Sequence, residues 1–146
     1  TYDHKPEMSA PAVADAFCKR WRTGDYAFGI VNFANPDMVG HTGVIEAAVR
    51  AVECVDRCLG QVVDTVRATG GACVVTADHG NADNMLEPDG SPNTAHSMNP
   101  VPFVIEPAVG ALRADGGVLA DVAPTVLALL GLDSPRAMTG KPLHER

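Results

Sequence analysis

The sequence has few basic residues and no cluster of them. Its 11 lysines and arginines stand against 18 aspartates and glutamates, so the formal net charge is −7. An acidic chain without a basic patch is a poor partner for nucleic acid or for an anionic membrane surface. The sequence also lacks an apolar run long enough to cross a membrane and shows no signal-peptide pattern. These absences argue against nucleic-acid and membrane functions.

Cysteine is scarce, and its spacing does not indicate a disulfide framework or a zinc site. The four cysteines form no C-x-x-C pair; they are Cys18, Cys54, Cys58 and Cys73. Because they fall in apolar stretches or on the apolar stripe of a predicted helix, we interpret them as small core residues in a reducing cytosol. We therefore expect a cytoplasmic protein.

What the sequence does contain is an alternation of helical and strand-like segments. The 146 residues are 46% hydrophobic, which is enough for one globular domain with a core. Helical periodicity predicts helices at residues 10–22, 42–69 and 121–130, the last with Asp121 as its N-cap. Short apolar runs predict buried strands at residues 26–34, 72–77 and 100–106. This order predicts an α/β layered fold with a mostly parallel sheet and flanking helices.

So small a predicted sheet would leave its faces and edges exposed. Three strands flanked by helices do not enclose a complete α/β core, since both faces of a parallel sheet are normally covered. The chain also begins at Thr1 rather than at a methionine. We therefore expect that part of the domain lies outside these residues.

Aspartate and histidine side chains follow the predicted strands where the strands end. Asp37 and His41 come after the first strand, Asp78 and His79 directly after the second, and His96 in the polar loop at residues 80–100. In open α/β sheets ligands bind beyond the carboxyl ends of the strands, so we expect these side chains at one edge. Mixed Asp and His ligands suit Mn²⁺, Zn²⁺, Mg²⁺ or Co²⁺. Two such ions would stabilise a phosphoryl transfer and offset the repulsion of phosphate by an acidic chain.

Each candidate ligand also has an ordinary structural alternative. His41 could cap the long helix, Asp78 could be a simple strand-end carboxylate, and His96 could be a loop histidine on the surface. His4 and His144 lie near the two ends of the sequence, where we expect them to be exposed to solvent. A metal site is the interpretation that explains the first three residues together.

The sequence supplies candidate metal ligands without an evident nucleophile. Thr94 and Ser97 flank His96 and are expected to form hydrogen bonds around it, and Asp83 is expected to face solvent. No other serine or threonine lies in a setting that would activate its hydroxyl. We therefore assign no catalytic residue within this chain.

Four segments resemble those of one enzyme family, in the same order. They are "TYDHKPEMSA", "NFANPDMVGHTG", "VVTADHGNAD" and "TAHSMNPVPFV", and the final stretch "LADVAPTVLALLGLDSPRAMTGKPL" is similar as well. Together they resemble the cofactor-independent (2,3-bisphosphoglycerate-independent) phosphoglycerate mutases of the alkaline phosphatase superfamily. The resemblance covers essentially the whole chain.

The resemblance implies a role for each matching position. Asp37, His41 and His96 would hold one manganese, while Asp78 and His79 would hold half of a second site. In that family an aspartate near the N-terminus and a serine nucleophile complete the second site, and an inserted transferase domain grips the substrate. None of these parts is expected among the present residues, so we expect at most one complete metal site.

The resemblance also implies a parent enzyme and a fold. Residues 1–146 would be the C-terminal portion of a metal-binding phosphatase domain with an incomplete alkaline-phosphatase-like fold. The intact enzyme would interconvert 3-phosphoglycerate and 2-phosphoglycerate in glycolysis through a phosphoserine, and this portion alone would be inactive. Its partners would be that small substrate and the rest of the same polypeptide.

Two other hypotheses remain open. The chain could come from a related phosphopentomutase, phosphodiesterase or metal-dependent phosphatase, or it could be a non-catalytic metal-binding or assembly module. The segments "PEMSA" and "NPDMVGHTG" favour the mutase. Mn²⁺ is the metal implied by the resemblance, and Mg²⁺, Co²⁺ or Zn²⁺ would also accept these ligands.

Overall fold

The computed structural model describes residues 1–144 and contains both helices and strands, which confirms the predicted α/β class. Its helices and strands in chain order are α1 (Ala10–Trp21), α2 (Asn35–Gly40), α3 (Ile45–Ala68), β1 (Cys73–Thr76), β2 (Phe103–Glu106) and α4 (Val122–Leu129). Short 3₁₀ turns occupy Tyr2–His4 and Leu119–Asp121. None of the helices within residues 1–144 has both the length and the apolar character that a membrane crossing requires.

The main core lies between α1 and α3. α1 buries Ala10, Ala14 and Cys18, one residue per turn, against a cluster that includes Cys54 and Cys58 of α3. Small side chains on both helices allow the two backbones to approach closely, and Phe17 and Trp21 pack against the edge of this cluster. The cysteines are all free and three of them are buried, as the sequence predicted. Burial raises the pKa of the Cys58 and Cys73 thiols, which keeps both protonated.

The two strands pair antiparallel, whereas the sequence predicted mostly parallel pairing. Cys73 lies opposite Glu106, and Thr76 lies opposite Phe103. A parallel pair needs a crossover, usually a helix, to return the chain to the same end of the sheet. The connection from β1 to β2 contains no helix, so the chain turns back and β2 runs in the opposite direction.

The predicted strand at residues 26–34 is wrong for the described structure. This segment joins no ladder, and two of its apolar side chains are exposed, Phe28 at 52% and Ile30 at 85%. An apolar run predicts burial, but a strand forms only where a neighbour accepts and donates its backbone hydrogen bonds. No strand among residues 1–144 lies beside this segment. The segment ends at Asn35, where α2 begins with Pro36 in its first turn.

The carboxylate of Asp121 joins the C-terminal segment to the start of α4. It stands at the N-cap position, but its oxygens accept hydrogen bonds from the backbone N–H of Val118 (3.1 Å) and of Lys141 (2.8 Å), not from α4 itself. These two donors hold the pKa of Asp121 below its ordinary value. The same segment buries His144, which is 8% exposed, so the prediction that this histidine faces solvent is wrong. A backbone bridge to Leu112 draws it inward.

Replacing Asp121 by alanine should destabilise the fold at pH 7 by about 1–3 kcal/mol, because two backbone donors lose a charged acceptor. The folded-state pKa is lowered, so this stability is present above the ordinary aspartate value of 3.8 and is lost as the pH falls through the folded-state pKa. The free energy of unfolding is measured by urea denaturation, which is followed by the fluorescence of the single tryptophan. The difference from wild type should shrink below pH 4, and a difference that stays constant to pH 2 would contradict this role. Asp25, which is exposed, is the matched control.

Candidate metal centre

Helix α2 places two candidate ligands on the same side of the chain. Asp37 lies in the first turn of α2, and His41 follows one turn later at its C-cap. Residues four apart on a helix are neighbours, and the Oδ1 atom of Asp37 lies 3.2 Å from the Nε2 atom of His41. Gly43 then adopts a φ of +71°, a left-handed conformation that lets the chain turn into α3.

The loop that carries His96 is held by side-chain hydrogen bonds. Ser97 donates a backbone hydrogen bond to Gly80 (2.9 Å), which fastens the far end of the loop beside its beginning. The hydroxyl of Ser97 (2.8 Å) and the amide of Asn99 (2.6 Å) both donate to one oxygen of Asp83. These donors, that of Asn99 first, lower the pKa of Asp83, so the anchor is ionised at neutral pH. The loop therefore holds His96 in a defined position.

Four of the five predicted ligands come together, namely Asp37, His41, His79 and His96. The Nε2 atom of His96 lies 3.3 Å from Oδ1 of Asp37 and 3.2 Å from Nε2 of His41. The ring of His79 stacks on that of His96, with centroids 3.8 Å apart, and Asp37, His79 and His96 each offer a ligand atom within 4.8 Å of the others. Asp78 lies at the margin, 3.7 Å from Nε2 of His79 with its side chain 77% exposed. The cluster opens to solvent, since the side chain of His96 is 51% exposed.

The backbone fixes which nitrogen of His41 is free. Nδ1 of His41 lies 2.7 Å from the carbonyl oxygen of Thr94, which can only accept a hydrogen bond. Nδ1 must therefore carry a proton, and in the neutral ring Nε2 presents its lone pair. That lone pair faces Oδ1 of Asp37 at 3.2 Å, so two acceptors point at each other.

A proton or a metal ion between these acceptors would relieve their repulsion, and Nε2 of His96, 3.2 Å from Nε2 of His41, can carry such a proton. Histidines that bind a metal through one nitrogen usually donate the other N–H to a carbonyl or carboxylate, as His41 does. The mixture of imidazole nitrogen and carboxylate oxygen atoms is a donor set that divalent cations accept. The residues present therefore fit a divalent metal ion.

Two residues that shape the cluster were not singled out from the sequence for what they do. Asn81 is buried, and its amide donates to Oδ1 of Asp37 at 2.8 Å. Thr94 was expected to form hydrogen bonds around His96, and the contact observed is between its carbonyl oxygen and His41. A backbone carbonyl has no signature in the sequence, and the position of Asn81 beside Asp37 depends on a contact between segments 44 residues apart. In the sequence, the one indication of a role for Asn81 in the cluster is that it lies three residues after Asp78.

Comparisons with known proteins agree with a metal-binding chain. A family model described as the metalloenzyme superfamily matches residues 1–134. A 2,3-bisphosphoglycerate-independent phosphoglycerate mutase from Syntrophotalea carbinolica is 54% identical over 99% of this chain and 28% of its own length. Its counterpart from Rhodopirellula baltica is 55% identical over 99% of this chain and 27% of its own length. The chain thus spans less than a third of the length of these relatives.

A solved structure has the same fold as this chain. It is a Leishmania mexicana phosphoglycerate mutase, determined at low cobalt concentration, with a TM-score of 0.89 and 34% sequence identity. The match covers 99% of this chain and 30% of that protein. This relative is much longer than the present chain. Within residues 1–144 the chain has a two-stranded sheet and an exposed segment at residues 26–34.

The protonation of His41 provides a direct test of the geometry. In the metal-free chain, long-range ¹H–¹⁵N correlation spectra should show that the neutral ring carries its proton on Nδ1, since the carbonyl of Thr94 requires a donor there. His4, whose side chain is 80% exposed, is the reference ring. A proton found on Nε2 of His41 would contradict the contact with Thr94.

Proposed function

Since the chain belongs to the metalloenzyme superfamily, we propose that it is the C-terminal portion of the metal-binding domain of a 2,3-bisphosphoglycerate-independent phosphoglycerate mutase. The parent enzyme is an isomerase that interconverts 3-phosphoglycerate and 2-phosphoglycerate in glycolysis. The observation that carries the proposal is the convergence of Asp37, His41 and His96, whose ligand atoms lie 3.2–3.3 Å apart. Relatives with this name match nearly the whole chain at 54–55% identity, which favours the mutase over a phosphopentomutase, phosphodiesterase or phosphatase.

The ligand roles follow from the donor atoms. Asp37, His41 and His96 would hold one divalent cation, and Asp78 with His79 would contribute to a second. Bound cations would supply Lewis-acid stabilisation of the charge on a transferring phosphoryl group. We propose Mn²⁺ as the physiological ion, with Mg²⁺, Co²⁺ and Zn²⁺ as the alternatives that this donor set also accepts.

The residues of this chain prepare the site before any substrate arrives. The Thr94 carbonyl orients His41 so that Nε2 faces the cluster, and the Asp83 anchor holds the loop of His96. With a formal charge of −7 the chain would repel a phosphate ester, so the exposed cluster is where cations would reverse the local potential. Positioning of this kind is the main contribution that proteins make to phosphoryl transfer.

The chain supplies one part of the reaction and depends on other residues for the rest. In the loop of His96, the hydroxyl of Ser97 donates to Asp83 and that of Ser91 donates to Asp89, so both hydroxyls hold the loop. In the proposed mechanism the phosphoserine forms on a residue outside these 146, and an additional domain binds the glycerate portion. The chain alone is then inactive as a mutase.

Exposed apolar surface supports the proposal that residues 1–146 are one portion of a larger domain. On α3 a second stripe of side chains, beside the buried one, is exposed: Ile45 at 43%, Val49 at 51% and Val52 at 47%. Phe28 and Ile30 of the unpaired segment are exposed as well. Soluble monomers rarely expose apolar patches of this kind, and they mark surfaces that pack against further chain. We also propose a cytoplasmic location, which the four free cysteines favour.

Metal titration tests the proposed function. After dialysis against a chelator, the chain should bind Mn²⁺ at one site, measured by electron paramagnetic resonance of free Mn²⁺. Replacing His96 by alanine should lower the affinity for Mn²⁺ by at least about 100-fold, because losing a ligand weakens metal binding more than losing a residue that only hydrogen-bonds to a ligand. Replacing the exposed His4 by alanine is the matched control and should change nothing.

The same preparation should show no conversion of 3-phosphoglycerate to 2-phosphoglycerate with saturating Mn²⁺. Absence of Mn²⁺ binding would refute the metal assignment. Sustained turnover by a preparation that mass spectrometry shows to contain only these 146 residues would refute the proposal that the nucleophile lies elsewhere.

A further inference from the structure

Asn81 is a buried polar residue inside the proposed metal centre, and it is not one of the candidate ligands. It is 4% exposed and lies three residues beyond Asp78 on the loop after β1. Its Nδ2 atom donates to Oδ1 of Asp37 at 2.8 Å and lies 3.3 Å from the backbone carbonyl oxygen of the same residue. The amide therefore grips Asp37 by its side chain and its main chain at once.

The orientation of this amide is fixed by what surrounds it. Both oxygens of Asp37 that it contacts can only accept, so the NH₂ group must face them. The opposite end, Oδ1 of Asn81, is buried and has no hydrogen-bond partner among residues 1–144. It lies directly against Gly40, where even a methyl group would overlap it. The amide thus keeps its donor on Asp37 although its acceptor stays unpaired, which buried amides rarely do.

Three nitrogen atoms of the cluster lie around Oδ1 of Asp37. It lies 3.2 Å from Nε2 of His41, 3.3 Å from Nε2 of His96 and 2.8 Å from the amide of Asn81. The two imidazoles are candidate ligands, and their nitrogens would bind the cation. The hydrogen bond from Asn81 does not involve the cation and would stay in place. An aspartate side chain without this hydrogen bond would rotate about its terminal bond.

We propose that Asn81 is a positioning residue that holds the Asp37 carboxylate in the orientation for cation binding and couples α2 to the loop of Asp78 and His79. This inference rests on the proposed function, because it assigns the hydrogen bond to a metal ligand. Partners of this kind, one step removed from the metal, typically change metal affinity by about 10–100-fold when they are lost.

The test compares two buried asparagines that differ in what they hold. Asn35 is 3% exposed, lies on the same helix as Asp37 and donates its amide to the carbonyl oxygen of Pro6 at 2.8 Å, so its role is structural. Asn81→Leu and Asn35→Leu each remove one buried amide donor and keep a similar side-chain volume. Mn²⁺ affinity is measured by electron paramagnetic resonance at a temperature where circular dichroism shows both variants folded, and unfolding temperatures are measured separately in chelator.

Asn81→Leu should weaken Mn²⁺ binding by about 10–100-fold, whereas Asn35→Leu should lower the unfolding temperature and leave the affinity unchanged. If Asn81→Leu does not fold, Gly40→Ala tests the same contact, because the added methyl group displaces the amide from Asp37. If the folded Asn81→Leu variant binds Mn²⁺ with the same affinity as the wild-type chain, the positioning role is wrong and the proposed function still stands. Failure of the wild-type chain to bind Mn²⁺ would overturn the proposed function and this inference with it.

Discussion

The structure of the site depends on the crowding of nitrogen atoms around one oxygen of Asp37. Nε2 of His41 and Nε2 of His96 lie 3.2 and 3.3 Å from it, and the carbonyl of Thr94 holds the proton of His41 on the far side of its ring. The lone pair of His41 faces the carboxylate of Asp37 at this distance, and the two repel each other unless a proton or a cation lies between them. The backbone contact of His41 thus leaves a nitrogen acceptor beside the carboxylate, a donor set that a divalent cation accepts, and the family to which the chain belongs is a metalloenzyme superfamily.

The rest of the fold serves to bring these segments together. α1 and α3 form a core of small side chains, and the site residues lie on the segments that leave this core, α2 before α3 and the loop after β1. Gly43 turns the chain between α2 and α3, and Gly40 leaves room for Asn81. Functional residues often lie on connecting segments that a rigid scaffold of helices positions. The face of α3 that carries Val49 and Val52 is exposed.

Local patterns in the sequence predicted what depends on local interactions. The helical periodicity around residues 42–69 located α3, because one face of that helix is buried whatever else the chain does. The apolar run at residues 26–34 did not form a strand, because strand pairing requires a partner that the sequence of the segment cannot specify. Antiparallel pairing of β1 with β2 was missed for the same reason. The candidate ligands were recognised from their residue types after predicted strands, although the strand predicted before Asp37 does not form. Asn81 and the Thr94 carbonyl act through contacts between distant segments.

The most direct measurement of the central claim is anomalous X-ray diffraction at the manganese absorption edge, from crystals of this chain grown with Mn²⁺. A single strong anomalous peak within bonding distance of a carboxylate oxygen of Asp37, Nε2 of His41 and Nε2 of His96 is the expected result. A manganese ion bound elsewhere, with the two imidazoles and the carboxylate directed away from one another, would contradict the account.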